Sequence, residues 1–147
     1  MREILFRGKR CDNGEWAQGY YIRADYHWHK YGIHKDWIAL GASANGGWFA
    51  LHSKYAVKSE TVGQYTGLTD KNGKKIFEGD VVCVNDRLMP HYEKLSTFIG
   101  EVDHKDASFV IVGDVITHYR WLDYEVEVIG NIHDNPELLK GANDAVH

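Results

Sequence analysis

The chain has 147 residues, 44% of them hydrophobic, and a formal charge of −4. That length suits one ordinary domain or two small β units, and buries roughly two-thirds of the unfolded surface without disulfide staples. Composition excludes several classes: no run approaches a membrane span, residues 1–7 alternate charged and apolar instead of forming a signal peptide, and the scattered basic residues lack the footprint of a strong duplex binder. The two cysteines, Cys11 and Cys83, allow one bridge at most and favour a reduced cytoplasmic setting. Cys83, between valines, is expected in a core, and Cys11, beside Arg10 and Asp12, at the surface.

The hydrophobic period is two almost throughout. Residues 3–7 and 15–23 form an expected hairpin around Cys11-Asp12-Asn13-Gly14, with Trp16, Tyr20 and Ile22 on the inward face. Residues 24–36 are rich in aromatics and histidines and show no period. A strand resumes at Trp37-Ile38-Ala39-Leu40, residues 41–47 read as a small-residue loop, and residues 48–57 alternate as another strand. In the stretch from Gln64 to Val82, Asn72-Gly73 predicts a type I′ hairpin turn, and Glu78-Gly79-Asp80 turns the chain into the β-branched run Val81-Val82-Cys83-Val84. Further strands are expected at residues 98–102, 109–112, 115–119 and 125–129, with a longer excursion at 86–95. Asn135 and Pro136 then open a short helix through Lys140, ending before Gly141.

An ordered set of segments carries a family resemblance: Phe6-Arg7-Gly8-Lys9, Gly14-Glu15-Trp16, Gly19-Tyr20, residues 61–68, Asp70-Lys71-Asn72-Gly73-Lys74, residues 76–82, and residues 127–139. On these the chain resembles the YopX family, found mainly in bacteriophages and prophages of Gram-positive bacteria. The resemblance implies a β-rich, oligomer-forming protein and supplies no catalytic residues. It does not extend to residues 24–45.

Three features invite a chemical reading. His27 and His29, with His34 nearby, would share one face of a strand and could chelate a metal, but a closed site needs about four ligands and a second shell, so no metal site is assigned. Asp70-Lys71-Asn72-Gly73 resembles a calcium loop only superficially, because the glycine comes too early. Glu78 and Asp80 straddle a turn and do not form an acid–base pair; Asp80 is expected to hold nearby backbone amides. The third feature is the aromatic surplus of five tryptophans, nine tyrosines and five phenylalanines, expected mainly in a core or at subunit interfaces. Its functional alternative is a pocket in which Trp28, Trp37 and Trp48 stack a planar ligand while Arg7, Arg23 or Lys30 meets a phosphate.

The expected architecture is mainly β: an N-terminal, oligomerising β unit over residues 1–60 and an SH3-like β-barrel with a short C-terminal helix over 61–147. The expected function is that of a non-enzymatic phage or prophage accessory protein that works by binding in the host cytoplasm, as a homo-oligomer. Its partner would be a host protein or a sequestered nucleotide-like ligand, with no cofactor, no catalytic residue and no membrane. The alternatives are a nucleic-acid-binding module and a metal-dependent hydrolase built on His27 and His29.

Overall fold

A computed structural model describes residues 3–28, 32–45, 48–86, 97–113, 117–118 and 124–144. The chain divides into two compact units, Met1–Tyr65 and Thr66–His147. Both are built of antiparallel strands, and the described residues include one short α-helix.

β1 (Phe6–Lys9), β2 (Trp16–Trp28), β3 (Gly32–Asn45) and β4 (Trp48–Ala56) lie in the first unit, and β5 (Gly63–Thr69) runs past its end at Tyr65; the sheet order is β4-β3-β2-β1-β5, with β6 (Lys75–Phe77) beyond β5. The opening hairpin forms around residues 11–14, where the Gly14 amide bonds the Arg10 carbonyl at 3.0 Å and Gly14 takes φ 73°. Its first strand begins at Phe6, later than expected. β3 runs for 14 residues, so residues 41–45, expected as loop, are strand: their small side chains make no turn, and Gly41 through Asn45 pair with His52 through Trp48. The unreadable stretch 24–36 is also strand over its described residues. A register shift between Arg23 and Tyr26 inserts an extra residue in β2, and such a bulge interrupts the period of two.

The core of this unit holds Ala17, Ile38 and Val57, with Phe6, Tyr21, Tyr55 and Val62 packed against them. Successive side chains of a strand point to opposite faces, so Trp16, Tyr20 and Ile22 lie on the other face, contrary to expectation; Tyr20 is 56% exposed. Alternation groups residues into two faces without saying which is covered. Here the choice is made by Val57 and Val62, which flank a 3-10 turn at Ser59–Thr61 and join the Ala17 and Ile38 face.

In the second unit, β6 (Lys75–Phe77) precedes β7 (Asp80–Asp86), β8 (Thr97–Lys105), β9 (Ser108–Val112), β10 (Thr117–His118), β11 (Tyr124–Asn131) and α1 (Glu137–Asp144). The sheet order is β10-β9-β8-β7-β11. Val82, Val84, Val102, Ile111 and Val126 form its core with Ile76 of β6. Val82 and Val84 occupy the core face, so Cys83 between them is only half-buried, whereas Cys11 is exposed as expected. A closed barrel is not formed: closure requires the edge strands to pair, and among the described residues β10 and β11 do not.

The turns follow side-chain chemistry. Asp80 is 1% exposed and accepts the Phe77 amide at 2.8 Å, as expected of a turn-fixing carboxylate. At the tip of the β5–β6 hairpin the Gly73 amide bonds the Asp70 carbonyl at 3.0 Å, and Gly73 alone has positive φ, at 82°. That is a type I turn closed by a left-handed glycine, not the expected type I′ turn. Helix α1 follows Asn135 and Pro136 and continues past Gly141 to Asp144.

Candidate functional site

The ladder register of β1 to β4 defines one face of the first sheet. Arg7 pairs with Gln18 and Lys9 with Trp16; Tyr20 pairs with Ala39 and Ile22 with Trp37; Trp37 pairs with Ala56 and Ala39 with Lys54. All of these lie opposite the core cluster. Two indoles on this face each carry cations. The Arg7 guanidinium carbon stands 4.7 Å from the Trp16 ring centroid and Lys9 Nζ 5.7 Å from it, while Lys54 Nζ stands 5.6 Å from the centroid of Trp37. Such pairs draw on the negative face of the ring. Arg7 is 8% exposed and braces Trp16 from within, leaving Lys9 and Lys54, both half-buried, as the more accessible cations. Gln18 and Tyr20 between the two indoles are exposed.

Between the rungs of Trp16 and Trp37 this face carries no aspartate or glutamate on β1 to β4: β1 contributes Arg7 and Lys9, β2 Trp16, Gln18, Tyr20 and Ile22, β3 Trp37, Ala39 and Gly41, and β4 Lys54 and Ala56. In a chain of net charge −4, this face brings three cations, Arg7, Lys9 and Lys54, beside two indoles. Along β2, Trp16 and the rung of Trp37 are six residues apart, or about 20 Å at the usual rise of a strand.

The opposite face holds a different arrangement. Asp36 is 5% exposed and its two carboxylate oxygens accept hydrogen bonds from the Tyr21 and Ser59 hydroxyls. The bond to Asp36, aided by burial, raises the Tyr21 phenol above its ordinary value. The nearby Cys11 thiol is also pushed up, chiefly by desolvation, which makes it a weak nucleophile at neutral pH. The cluster ties the 3-10 turn to the sheet.

Of the ligand-binding residues expected from sequence, Arg7 and Trp37 fall on the cation-aromatic face, and the unbroken β3–β4 register gives position 48 the same parity as Lys54. Arg23 is exposed and shares a rung with Asp36 on the opposite face. Trp28 pairs with Gly32 at one end of β3 and Trp48 with Asn45 at the other, thirteen residues apart along that strand, so the backbone does not bring these two positions together. Sequence reasoning missed Trp16, Lys9 and Lys54 as a set, because strand alternation alone does not reveal which strands are neighbours. Lys30, expected to meet a phosphate, and His29, expected as a metal ligand, lie outside the described residues, and His27 and His34 occupy successive rungs of the β2–β3 ladder. Among the described residues no group of three or more histidine, cysteine, aspartate or glutamate side chains is placed to hold a metal ion.

Comparison with known proteins bears on this whole arrangement. The family profile described as YopX protein matches residues 5–140. The chain belongs to the YopX family. A search of curated protein sequences finds no match. Among solved structures, the chain is similar to the crystal structure of protein EF1440 from Enterococcus faecalis, with 25% identity and a TM-score of 0.55, over 95% of this chain and 99% of that one. The span matched to YopX includes every residue of the cation-aromatic face described above. No helix among the described residues is long and apolar enough to cross a membrane.

Proposed function

We propose that this YopX-family protein works by binding and not by catalysis, as a phage or prophage accessory protein in a bacterial host cytoplasm, and that the first sheet captures a nucleotide-like ligand. One observation carries the reading: Trp16 and Trp37 lie on one sheet face, each under a cation, with no carboxylate on the strand positions between their rungs. A planar base stacks on an indole, and a phosphate attracts the ammonium beside it. The buried carboxylates described elsewhere have structural work: Asp36 holds Tyr21 and Ser59, Asp70 holds a hairpin tip, and Asp80 holds Phe77. The similar structure comes from Enterococcus faecalis, a Gram-positive bacterium, in keeping with such a host.

We read the second unit as an SH3-like scaffold. Its first four sheet strands follow one another in a meander and the last returns beside the first, an order that supports this reading even though the sheet is open. The protein is further proposed to act as a homo-oligomer, which native mass spectrometry would count directly.

The binding proposal is tested by titrating the full chain with adenosine monophosphate at millimolar concentrations while following tryptophan emission. Saturable quenching that is lost in Trp37→Ala supports it. An emission spectrum unmoved by the nucleotide, or quenching that persists unchanged in both Trp16→Ala and Trp37→Ala, removes this face as the site.

A further inference from the structure

We infer that the ligand of this face is single-stranded nucleic acid, lying along β2 and stacking bases on Trp16 and Trp37. The inference rests on the binding reading above and makes it more specific. The two indoles are about 20 Å apart along the sheet, at the usual strand rise. One mononucleotide engages one of them, whereas a strand of about four nucleotides or more, the low end of known site sizes, reaches both.

Charge agrees with a polyanion. Lys9 stands by Trp16 and Lys54 by Trp37, so each stacking platform has its own cation for a backbone phosphate. The described positions between them bear no carboxylate to repel the strand. Gln18, exposed between the platforms, offers an amide donor and acceptor to a base edge. A base stacking on Trp37 takes the place of the Lys54 ammonium over the ring, and the ammonium turns to the adjoining phosphate.

The same features argue against a duplex. Paired bases keep their π faces inside the helix, where Trp16 and Trp37 do not reach, and duplex affinity depends on many phosphate contacts, which two accessible cations do not supply. Because every base has a stackable face, the site is expected to show little sequence preference.

The test is fluorescence anisotropy with the full chain and labelled dT12, with a labelled 12-base-pair duplex and adenosine monophosphate as comparisons. The expected result is dT12 binding at least about 100-fold tighter than the mononucleotide and tighter than the duplex. Trp16→Ala and Trp37→Ala should each weaken it roughly 5- to 100-fold, as the loss of one base stack does. Trp37→Phe, which keeps a stacking ring, should retain most of the binding and guards against a folding artefact. Between 50 and 200 mM salt, two phosphate contacts predict a loss of about 5- to 10-fold, and Lys9→Gln with Lys54→Gln should flatten that dependence. If dT12 binds no tighter than the mononucleotide, the inference falls while the nucleotide reading stands. If neither binds, both fall. Equal binding of the duplex, or dT12 binding unchanged in both alanine variants, also overturns the inference.

Discussion

Asp70 Oδ2 accepts a hydrogen bond from the Val128 amide at 3.0 Å, across 58 residues of sequence. Its other oxygen accepts the amides of Asn72 and Lys74, each at 2.9 Å, so one carboxylate shapes the β5–β6 hairpin tip and fastens it to β11. The Lys71 amide adds a bond to the Val126 carbonyl at 2.9 Å, and together these cover part of an edge that would otherwise be open to pairing with another strand. Burial works to raise the Asp70 carboxyl, but the amides of Val128, Lys74 and Asn72 outweigh it and hold the group below its ordinary 3.8. A depressed carboxyl contributes stability that is fully present above the unfolded value and lost as pH falls through the folded one. Asp70→Asn, which turns an amide donor toward backbone donors, should cost about 1 to 3 kcal/mol at pH 7. The gap between variant and wild type in urea melts should begin to shrink as pH falls below about 4, where the carboxyl of the unfolded chain takes up a proton, and close as pH passes the lower folded value; a gap constant down to pH 2 would contradict this role.

The β8–β9 hairpin carries local strain. Asp106 and Ala107, between the paired Lys105 and Ser108, take φ 50° and 60°, the positive values that a two-residue type I′ turn demands at both centres. Aspartate tolerates that region; alanine pays for it through its Cβ. Ala107→Gly is expected to stabilise the protein by about 0.5 to 1 kcal/mol, after allowing for the greater unfolded-state freedom of glycine. A higher urea midpoint at unchanged slope would show it.

These two hairpins illustrate what could be read from sequence. Asn72-Gly73 signalled a hairpin correctly, yet the type I′ geometry belongs to Asp106-Ala107, because Asp70 selects a longer loop at the first and ladder register imposes the turn at the second. Strands and most of their order in sequence were legible from alternation. The stretch from Ala24 to Asp36 was not, since the bulge after Arg23 breaks the pattern on which the reading depends. The candidate site is half legible: sequence points to Arg7 and Trp37, but Trp16 and Lys54 join them only through the pairing of four strands, and alternation alone puts Trp16 on either face because nothing local tells which one Val57 and Val62 will cover.

Gly19 marks a close approach between β2 and β3. A Cβ placed there would stand 2.1 Å from the Ala39 carbonyl oxygen and 3.2 Å from Ile38 Cγ2, so backbone must move to admit one methyl group. Gly19→Ala should destabilise the first unit by about 2 kcal/mol or more. Gly41→Ala is the control, as a Cβ there meets nothing within 4 Å, and should be nearly neutral. Thermal melts of the two variants side by side would decide; equal melting temperatures would mean that the Gly19 contact relaxes without cost.

Asp36, finally, is the fastening of the 3-10 turn at Ser59–Thr61 to the sheet, through the hydroxyls of Tyr21 and Ser59. Losing one donor leaves the other in place, so Tyr21→Phe and Ser59→Ala should each cost about 1 to 2 kcal/mol, whereas Asp36→Ala strands both hydroxyls and should cost about 2 to 4 kcal/mol. The hydrogen bond to Asp36 raises the Tyr21 phenol above its ordinary 10.0, so its stabilising share is complete below pH 10 and disappears as pH climbs through the raised folded value. Wild type should therefore lose its advantage over Tyr21→Phe in alkaline solution. Urea melts of the two proteins at pH 8 and pH 11 would measure the convergence, and curves that stay equally far apart would assign the Tyr21 contribution to packing of its ring against Phe6, whose centroid lies 5.4 Å away, instead of to the hydroxyl.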